Sequence, residues 1–506
     1  MRLFFRNIAL ATLMALGATQ AIQAEHVTII AVNDTHSQIE PASDGQGGVL
    51  RRRAIYDQVR SDNKYTETVH AGDAVQGTVF FSLYGGEVEY SLMDSLGYTM
   101  IILGNHEFDN GIESVAKYYK DIDAVKLSAN YDMSGTPLEG MFQPYCIKAY
   151  GDKRVGYFGI NVTPKGLIGE DKYAGMRYLL SSDVADATAR YLKEVQKVDY
   201  AVMISHIGYD SYDPSEPNDS TIIAASHYID LVIGGHSHTV VKPGTPYATI
   251  CNADGRPITV GQNGKSGKFV ATYDLDLETG NVVYTQIPVN SDWDAAAQRY
   301  TAFNAWLDHY RAGVDSLMNS TVGHSAAAMS NKEPALQNWV CDATMDIIGK
   351  VSGINDVQCA IMNKGGIRTE MPKGVITEGL LMSMFPFDNR FVVLEISGQG
   401  LLDAFKVMAS RGGDAMSKQL AVTYDAAGNI TSAKLNGKKI NPKATYKVAT
   451  IDYLAGGGDY MDSFKAAKQI FVDDVKYGDH IISYVRGLEA AGKMVKSTGE
   501  QRMVKK

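Results

Sequence analysis

The chain has 506 residues, too many for one ordinary hydrophobic core, so two or more domains are expected. Apolar residues at 45% and charged residues at 21% fall in the range of soluble globular proteins. A net charge of −9 argues against a nucleic-acid polymer as partner, because such binding needs a concentrated basic face. An anionic small substrate stays open, provided that the site brings its own cations.

Arg2 and Arg6 head an apolar stretch over residues 8–16, and small residues follow up to Ala21 and Ala24. This pattern predicts a secretory signal peptide over residues 1–24, too short for a stable membrane span. An uncleaved anchor is the alternative. The expected location is outside the cytoplasm: periplasmic in a Gram-negative source, otherwise extracellular or at the cell surface. No second apolar run of spanning length follows.

From residue 25 to about 290, short apolar, β-branched runs each end in a polar, glycine-rich loop. Residues 26–32 lead into Asn33-Asp34-Thr35-His36, residues 67–70 into Ala71-Gly72-Asp73, and residues 99–103 into Gly104-Asn105-His106-Glu107-Phe108-Asp109. Residues 200–204 lead into Ser205-His206-Ile207-Gly208, and residues 229–233 into Gly234-Gly235-His236-Ser237-His238. Helical patterns lie between them, at residues 48–60 and 111–119 for example. Alternating strands and helices predict an α/β domain whose strand-end loops share one edge.

Residues 291–318 read as one long helix linking two domains, with Phe303, Trp306, Tyr310 and Val314 among its apolar positions. A second, smaller α/β domain is expected over residues 321–490, followed by a polar tail at 491–506. The four cysteines, Cys146, Cys251, Cys341 and Cys359, are widely spaced. They suit either disulfides or buried small hydrophobes, and a metal role is disfavoured.

The five loops carry a consistent chemistry. They offer Asp34 and His36, Asp73, Asn105 and His106, His206, and His236 and His238, a carboxylate, imidazole and carboxamide set suited to divalent zinc, manganese, iron or cobalt. Residues two apart on extended chain point the same way, so Asp34 with His36, and His236 with His238, can reach into one cavity. Seven or more candidates exceed the needs of one ion and suggest two, with a shared carboxylate. His70, His227, His309, His324 and His480 lack this setting. His106 follows Asn105 directly, so its ring could face a phosphate, with Asp109 orienting it. The alternative for Asp109 is an ordinary acid in the first turn of a helix.

In order, Asp34-x-His36, Gly72-Asp73-x-x-Gln76-Gly77, Gly104-Asn105-His106-Glu107-Phe108-Asp109, Ser205-His206-x-Gly208 and Gly235-His236-Ser237-His238 resemble the calcineurin-like metallophosphoesterase motifs. The Phe108-Asp109 ending and the second domain narrow the resemblance to the 5′-nucleotidase/UDP-sugar hydrolase family. It implies a metallophosphoesterase β-sandwich flanked by helices, a linker helix and a smaller α/β substrate-binding domain. It implies that Asp34, His36, Asp73 and His238 hold one divalent ion, and that Asp73, Asn105, His206 and His236 hold a second. It implies that His106 stabilises the transition state and that Asp109 supports it.

Three stretches of the second domain gain meaning from the same resemblance: Asn363-Lys364-Gly365-Gly366-Ile367-Arg368, Phe385-Pro386-Phe387-Asp388-Asn389, and Tyr453-Leu454-Ala455-Gly456-Gly457-Gly458-Asp459. By it, Phe387 and Tyr453 stack a nucleotide base. Asn363, Gly366, Asn389 and Asp459 line the pocket with polar contacts, and Arg368 meets the phosphate or ribose. Family members often carry further arginines where this chain reads Ser330-Asn331-Lys332-Glu333-Pro334, so substrates with extra phosphates are expected to be held less firmly. Release of phosphate from nucleoside 5′-monophosphates is the expected reaction. UDP-sugars, other nucleotide diphosphate esters and 2′,3′-cyclic nucleotides are the rival substrates. A non-catalytic nucleotide-binding surface protein is the rival of another class, and it would show decay among the ligands where this chain shows none.

Overall fold

The computed structural model describes residues 25–211 and 216–506, so the expected signal peptide lies outside the described residues. The first body is a two-sheet sandwich. One sheet runs, in spatial order, Val282–Pro288, Phe269–Asp276, His26–Val32, Thr66–Ala71, Met100–Ile102 and Val125–Leu127, with the last four strands parallel. The other runs Thr249–Cys251, Pro257–Gly261, Leu231–Ile233, Tyr200–His206, Lys153–Asn161 and Tyr145–Tyr150.

Alternation along the strands explains the layers. In His26–Val32, Val27, Ile29 and Ala31 face the second sheet and pack with Val202, Ile204, Leu231 and Ile233. Ile30 and Val32 face the other way, onto a layer that includes the helix Val49–Asp62. Both faces of the central strands are therefore covered, which is why they read as continuous apolar runs. The helices Ser181–Glu194 and Asp219–Ala225 cover the outer face of the second sheet through Ala185, Ala189, Leu192, Ile222 and Ile223.

The expected helix over 291–318 is interrupted. A short turn at Ser291–Trp293 and a single helical turn at Asp294–Ala297 precede the helix Thr301–Asn319. Tyr300 takes a non-helical conformation at the break (φ −87°, ψ 51°). Its hydroxyl lies 2.8 Å from Asp57, and Arg53 sits over its ring, so tertiary contacts with helix Val49–Asp62 override the local helical pattern. Phe303, Trp306, Tyr310 and Val314 then pack against the first body.

The second body has its own core, from Val322 to Val495, around a five-stranded sheet ordered Ala415–Met416, Cys359–Met362, Thr445–Ile451, Arg390–Ser397 and Lys468–Lys476. The residues beyond 490 are more than a polar tail. Val495 is buried, Asn338 binds the carbonyls of Thr498 and Glu500, and Met503–Lys505 adds a parallel strand beside Leu420–Tyr424. Arg502, a polar residue in sequence, is buried by its pairing with Asp342 and its bond to the Met416 carbonyl. All four cysteines are free, two of them buried as small core residues. Among the described residues, no helix is long and apolar enough to cross a membrane.

Candidate metal centre

Parallel strands deliver their carboxyl-terminal ends to one edge, and that edge gathers the predicted ligands. Two overlapping groups of side chains could each hold a cation: Asp34, His36, Asp73 and His238, and Asp73, His206 and His236, with their donor atoms within 4.8 Å of one another in each group. Asp73 belongs to both. Asn105 joins the second, its Oδ1 lying 2.9 Å from His236 Nδ1.

The loops are laced together before any ligand is considered. The Asp34 and His36 N–H groups donate to the carbonyls of Gly72 and Asp73, at 2.9 and 3.1 Å, and Ser266 N–H donates to Asp34 O at 2.7 Å. The cost is backbone strain. Asp34, His36, Asp73, Gln76, His236 and His238 all have positive φ, between 45° and 84°. Such non-glycine conformations cost roughly 1–3 kcal/mol each and persist only where the surroundings enforce them. Space is equally tight: a Cβ on Gly72 would fall 2.6 Å from His206 Nδ1, and one on Gly235 2.7 Å from the same atom. The glycines flanking the ligands let strand ends approach the imidazole directly.

The donor set fits a divalent cation. His206 Nδ1 donates to the Ala71 carbonyl at 2.6 Å, which turns Nε2 toward Asp73 Oδ2 at 3.2 Å and offers a lone pair there whenever the ring is neutral, as a bound cation would require. His206 Nε2 is fully buried and has no hydrogen-bond partner. His36 Nδ1 likewise faces the Val75 carbonyl, at 3.3 Å, turning its Nε2 toward His238 Nε2 at 2.9 Å. Acceptors aimed at acceptors in a dry pocket need a positive charge between them.

Electrostatics agree. Burial would raise the carboxyls of Asp34 and Asp73, but the facing imidazoles, His206 foremost, hold both below the ordinary carboxylate range. Burial would lower His206, yet Asp73 and Asp34 lift it to about 10. Burial pushes His36 well down, and burial with the His206 charge takes His236 to about 3. Two buried carboxylates thus draw positive charge into the pocket while the neutral imidazoles offer lone pairs.

His106 stands beside this group rather than in it. Its N–H donates to Asp73 Oδ1 at 2.9 Å, and its Nδ1 lies 3.0 Å from Asp109 Oδ2. Burial would lower the imidazole, but Asp109 and Asp73 raise it above its ordinary value. The Phe387 ring, from the second body, lies 5.9 Å from the His106 ring, and the Arg368 guanidinium sits over Phe387 at 5.8 Å. The second body therefore closes directly over the candidate metal centre.

A cleft of about 310 Å³, including its open mouth, is lined by Asn363, Gly366, Phe385, Phe387, Asn389 and Tyr477 among others. Tyr453 and Asp459 do not line it. The Tyr453 hydroxyl donates to the Gly166 carbonyl of the first body at 2.9 Å, and the Asp459 N–H reaches the same oxygen at 2.6 Å. The other histidines are absorbed elsewhere, as with His70 against Thr35 and His480 against Asp473.

Two residues stand in the sequence motifs without a role assigned to them there. Glu107 is buried and accepts the N–H groups of Asp73, Ala74 and Gly104 at 3.1, 2.8 and 2.6 Å, tying the Asp73 loop to the Asn105 loop. An acid set between His106 and the buried Phe108 was the available signal. Gln76, fully buried, accepts from Arg368. Nothing local in the sequence marks that partnership.

Residues 27–240 match the calcineurin-like phosphoesterase family, and residues 316–468 match the 5′-nucleotidase C-terminal domain. The chain is 26% identical to a 5′-nucleotidase of Bos taurus, over 97% of this chain and 93% of that protein. It is 25% identical to a trifunctional nucleotide phosphoesterase protein of Bacillus subtilis over 94% of this chain, but spans only 35% of that longer protein. Among solved structures, a 5′-nucleotidase precursor from Thermus thermophilus is 26% identical and superposes with a TM-score of 0.82, over 95% of this chain and 99% of that one.

Proposed function

Because the chain belongs to the family that joins a calcineurin-like phosphoesterase domain to a 5′-nucleotidase C-terminal domain, we propose that it releases inorganic phosphate from nucleoside 5′-monophosphates. That it is a metal-dependent phosphoester hydrolase is the premise; the substrate and the residue roles are the proposal. One observation carries it most: acceptor-facing carboxylates and imidazoles on five strand ends, capped by an arginine and an aromatic ring from the second body.

In this reading Asp34, His36, Asp73 and His238 hold one divalent ion, and Asp73, Asn105, His206 and His236 hold the other. When bound, such ions supply Lewis acidity toward water and toward a phosphoryl oxygen. Asp73 and Asn105 fix the spacing of the two donor groups. His106, oriented by Asp109 and favoured by it in the positive form, donates toward the negative charge that develops on the phosphoryl group. Arg368 forks onto the phosphate. Phe387 offers its ring to the base, with Asn363, Gly366 and Asn389 around it. Tyr453 and Asp459 stand outside that cleft, and their bonds to Gly166 brace the second body against the first.

We also assign the enzyme to the space outside the cytoplasm, on the basic, apolar and small-residue order of residues 1–24. The test is turnover of AMP, UDP-glucose, 2′,3′-cyclic AMP and p-nitrophenyl phosphate by protein purified without chelator, with metal analysis of the same sample. AMP is expected to be hydrolysed fastest. Preference for a cyclic nucleotide, or no phosphate release with metal bound, would overturn the assignment.

A further inference from the structure

His236 and His238 sit two apart in the loop after the strand Leu231–Ile233, both at positive φ, 84° and 56°. Neither is glycine, so the loop keeps this shape only where something outside it enforces it. The hydrogen bonds identify the enforcing side chain. Gln262 follows directly on the neighbouring strand Pro257–Gly261 and is fully buried. Its Nε2 donates to the Gly235 carbonyl at 2.6 Å, on one side of the two histidines. Its Oε1 accepts from the Thr239 N–H at 2.6 Å on the other side, and from Ser237 Oγ between them at 3.0 Å.

One carboxamide therefore clamps residues 235–239 at three points. The chemistry is selective: a carbonyl must be met by a donor and an N–H by an acceptor, and glutamine carries both on one plane. The partners also fix which way the amide points. Gln262 is itself anchored, since its main-chain carbonyl accepts from the Val241 N–H at 3.0 Å. The Gly235 carbonyl also receives the Gly208 N–H at 3.0 Å, which joins the clamp to the loop of His206. None of these bonds uses an imidazole nitrogen, so the clamp and an ion do not compete for the same atoms.

We propose that Gln262 is the positioning residue of this loop, setting His236 and His238 for both cation sites at once. The inference rests on the reading of these histidines as ligands and adds the group that shapes their loop. His238 belongs to one donor group and His236 to the other, so a single clamp couples the two sites. The motif Gly235-His236-Ser237-His238 stops short of it: Gln262 lies on another strand, and only the sheet brings the two segments together.

The experiment compares wild type with Gln262→Met, which keeps the side chain's length and removes both polar atoms, and with Ser237→Ala, which removes one contact. One arm measures manganese(II) binding to the full chain by calorimetry, after resident metal has been dialysed out. The other follows amide hydrogen exchange in the metal-free protein, with Tm as the control. Gln262→Met is expected to weaken manganese at both sites about 10- to 100-fold. It is also expected to speed exchange over residues 235–241 about tenfold, with the other strands unchanged. Ser237→Ala is expected to move both readouts the same way by less, and it decides the matter alone if Gln262→Met does not fold. Unchanged manganese affinity, or a lower Tm with exchange raised throughout the chain, would overturn the positioning role. If wild type binds no divalent ion, the ligand reading fails, and the exchange arm still decides whether Gln262 shapes the loop.

Discussion

Arg368 and Gln76 are joined across the two bodies by a hydrogen bond of 3.0 Å, from the guanidinium Nη2 to the amide Oε1. Gln76 is buried and belongs to the same loop as Asp73; Arg368 follows the glycine turn of the second body. The contact therefore sets a cation of the second body directly against the loop that carries Asp73. Arg368 has desolvation working against its charge and Asp109, Asp73 and Asp34 working for it.

The first prediction tests that contact. Arg368→Ala is expected to lower kcat/KM for AMP by about 10- to 100-fold, since hydrogen bonds to charged groups contribute about 1.5–3 kcal/mol. Gln76→Ala should cost less, because Arg368 keeps its reach to the substrate. Steady-state kinetics on both variants check this ordering. Equal losses would mean that Arg368 acts through domain contact alone.

Asp73 offers a second test. It is the donor common to both cation groups, so Asp73→Asn should reduce bound metal and lower activity by at least about a thousandfold, because the shared charge that holds the ions is gone. Metal analysis and phosphate release on the same preparation check it. A folded variant with full metal content and full activity would exclude Asp73 as a ligand.

The pair His106 and Asp109 yields a third. Asp109→Asn should lower kcat by about 10- to 100-fold with little change in KM, because the ring loses its orienting carboxylate at 3.0 Å. A lowered Tm with unchanged kcat would return Asp109 to the role of a helix acid.

Glu89 supplies a pH prediction remote from the chemistry. It is buried, neither carboxylate oxygen has a hydrogen-bond partner, and burial raises it from 4.5 to about 7. A raised carboxyl binds its proton more tightly folded than unfolded. Its contribution to stability is therefore fully present below about pH 4.5 and lost as pH rises toward 7. The loss is on the order of 3 kcal/mol. Glu89→Gln should flatten this slope, with a Tm above that of wild type at pH 8 and a smaller difference at pH 5. Parallel melting curves at both pH values would refute it.

Much of the site was legible because its parts are local. Asp34-x-His36 and His236-x-His238 each place two donors within one loop, and each loop follows an apolar strand. Parallel strands must deliver such ends to one edge, so convergence was implied by pattern. The helix over 291–318 was misjudged for the complementary reason: its apolar spacing is regular, while the break at Tyr300 comes from Asp57 and Arg53, over 240 positions away. Glu107 was passed over because its partners are backbone N–H groups of another loop, which carry no sequence signature.

By itself, then, the sequence determined the strand-and-loop chemistry of the first body, the ligand types and the glycines that let them crowd together, since these depend on periodicity and on residues a few positions apart. Only the tertiary structure decided which side chains meet across long separations. It set Arg368 against Gln76 and Tyr453 against Gly166, because contact between distant segments is fixed by packing, and no local pattern encodes it.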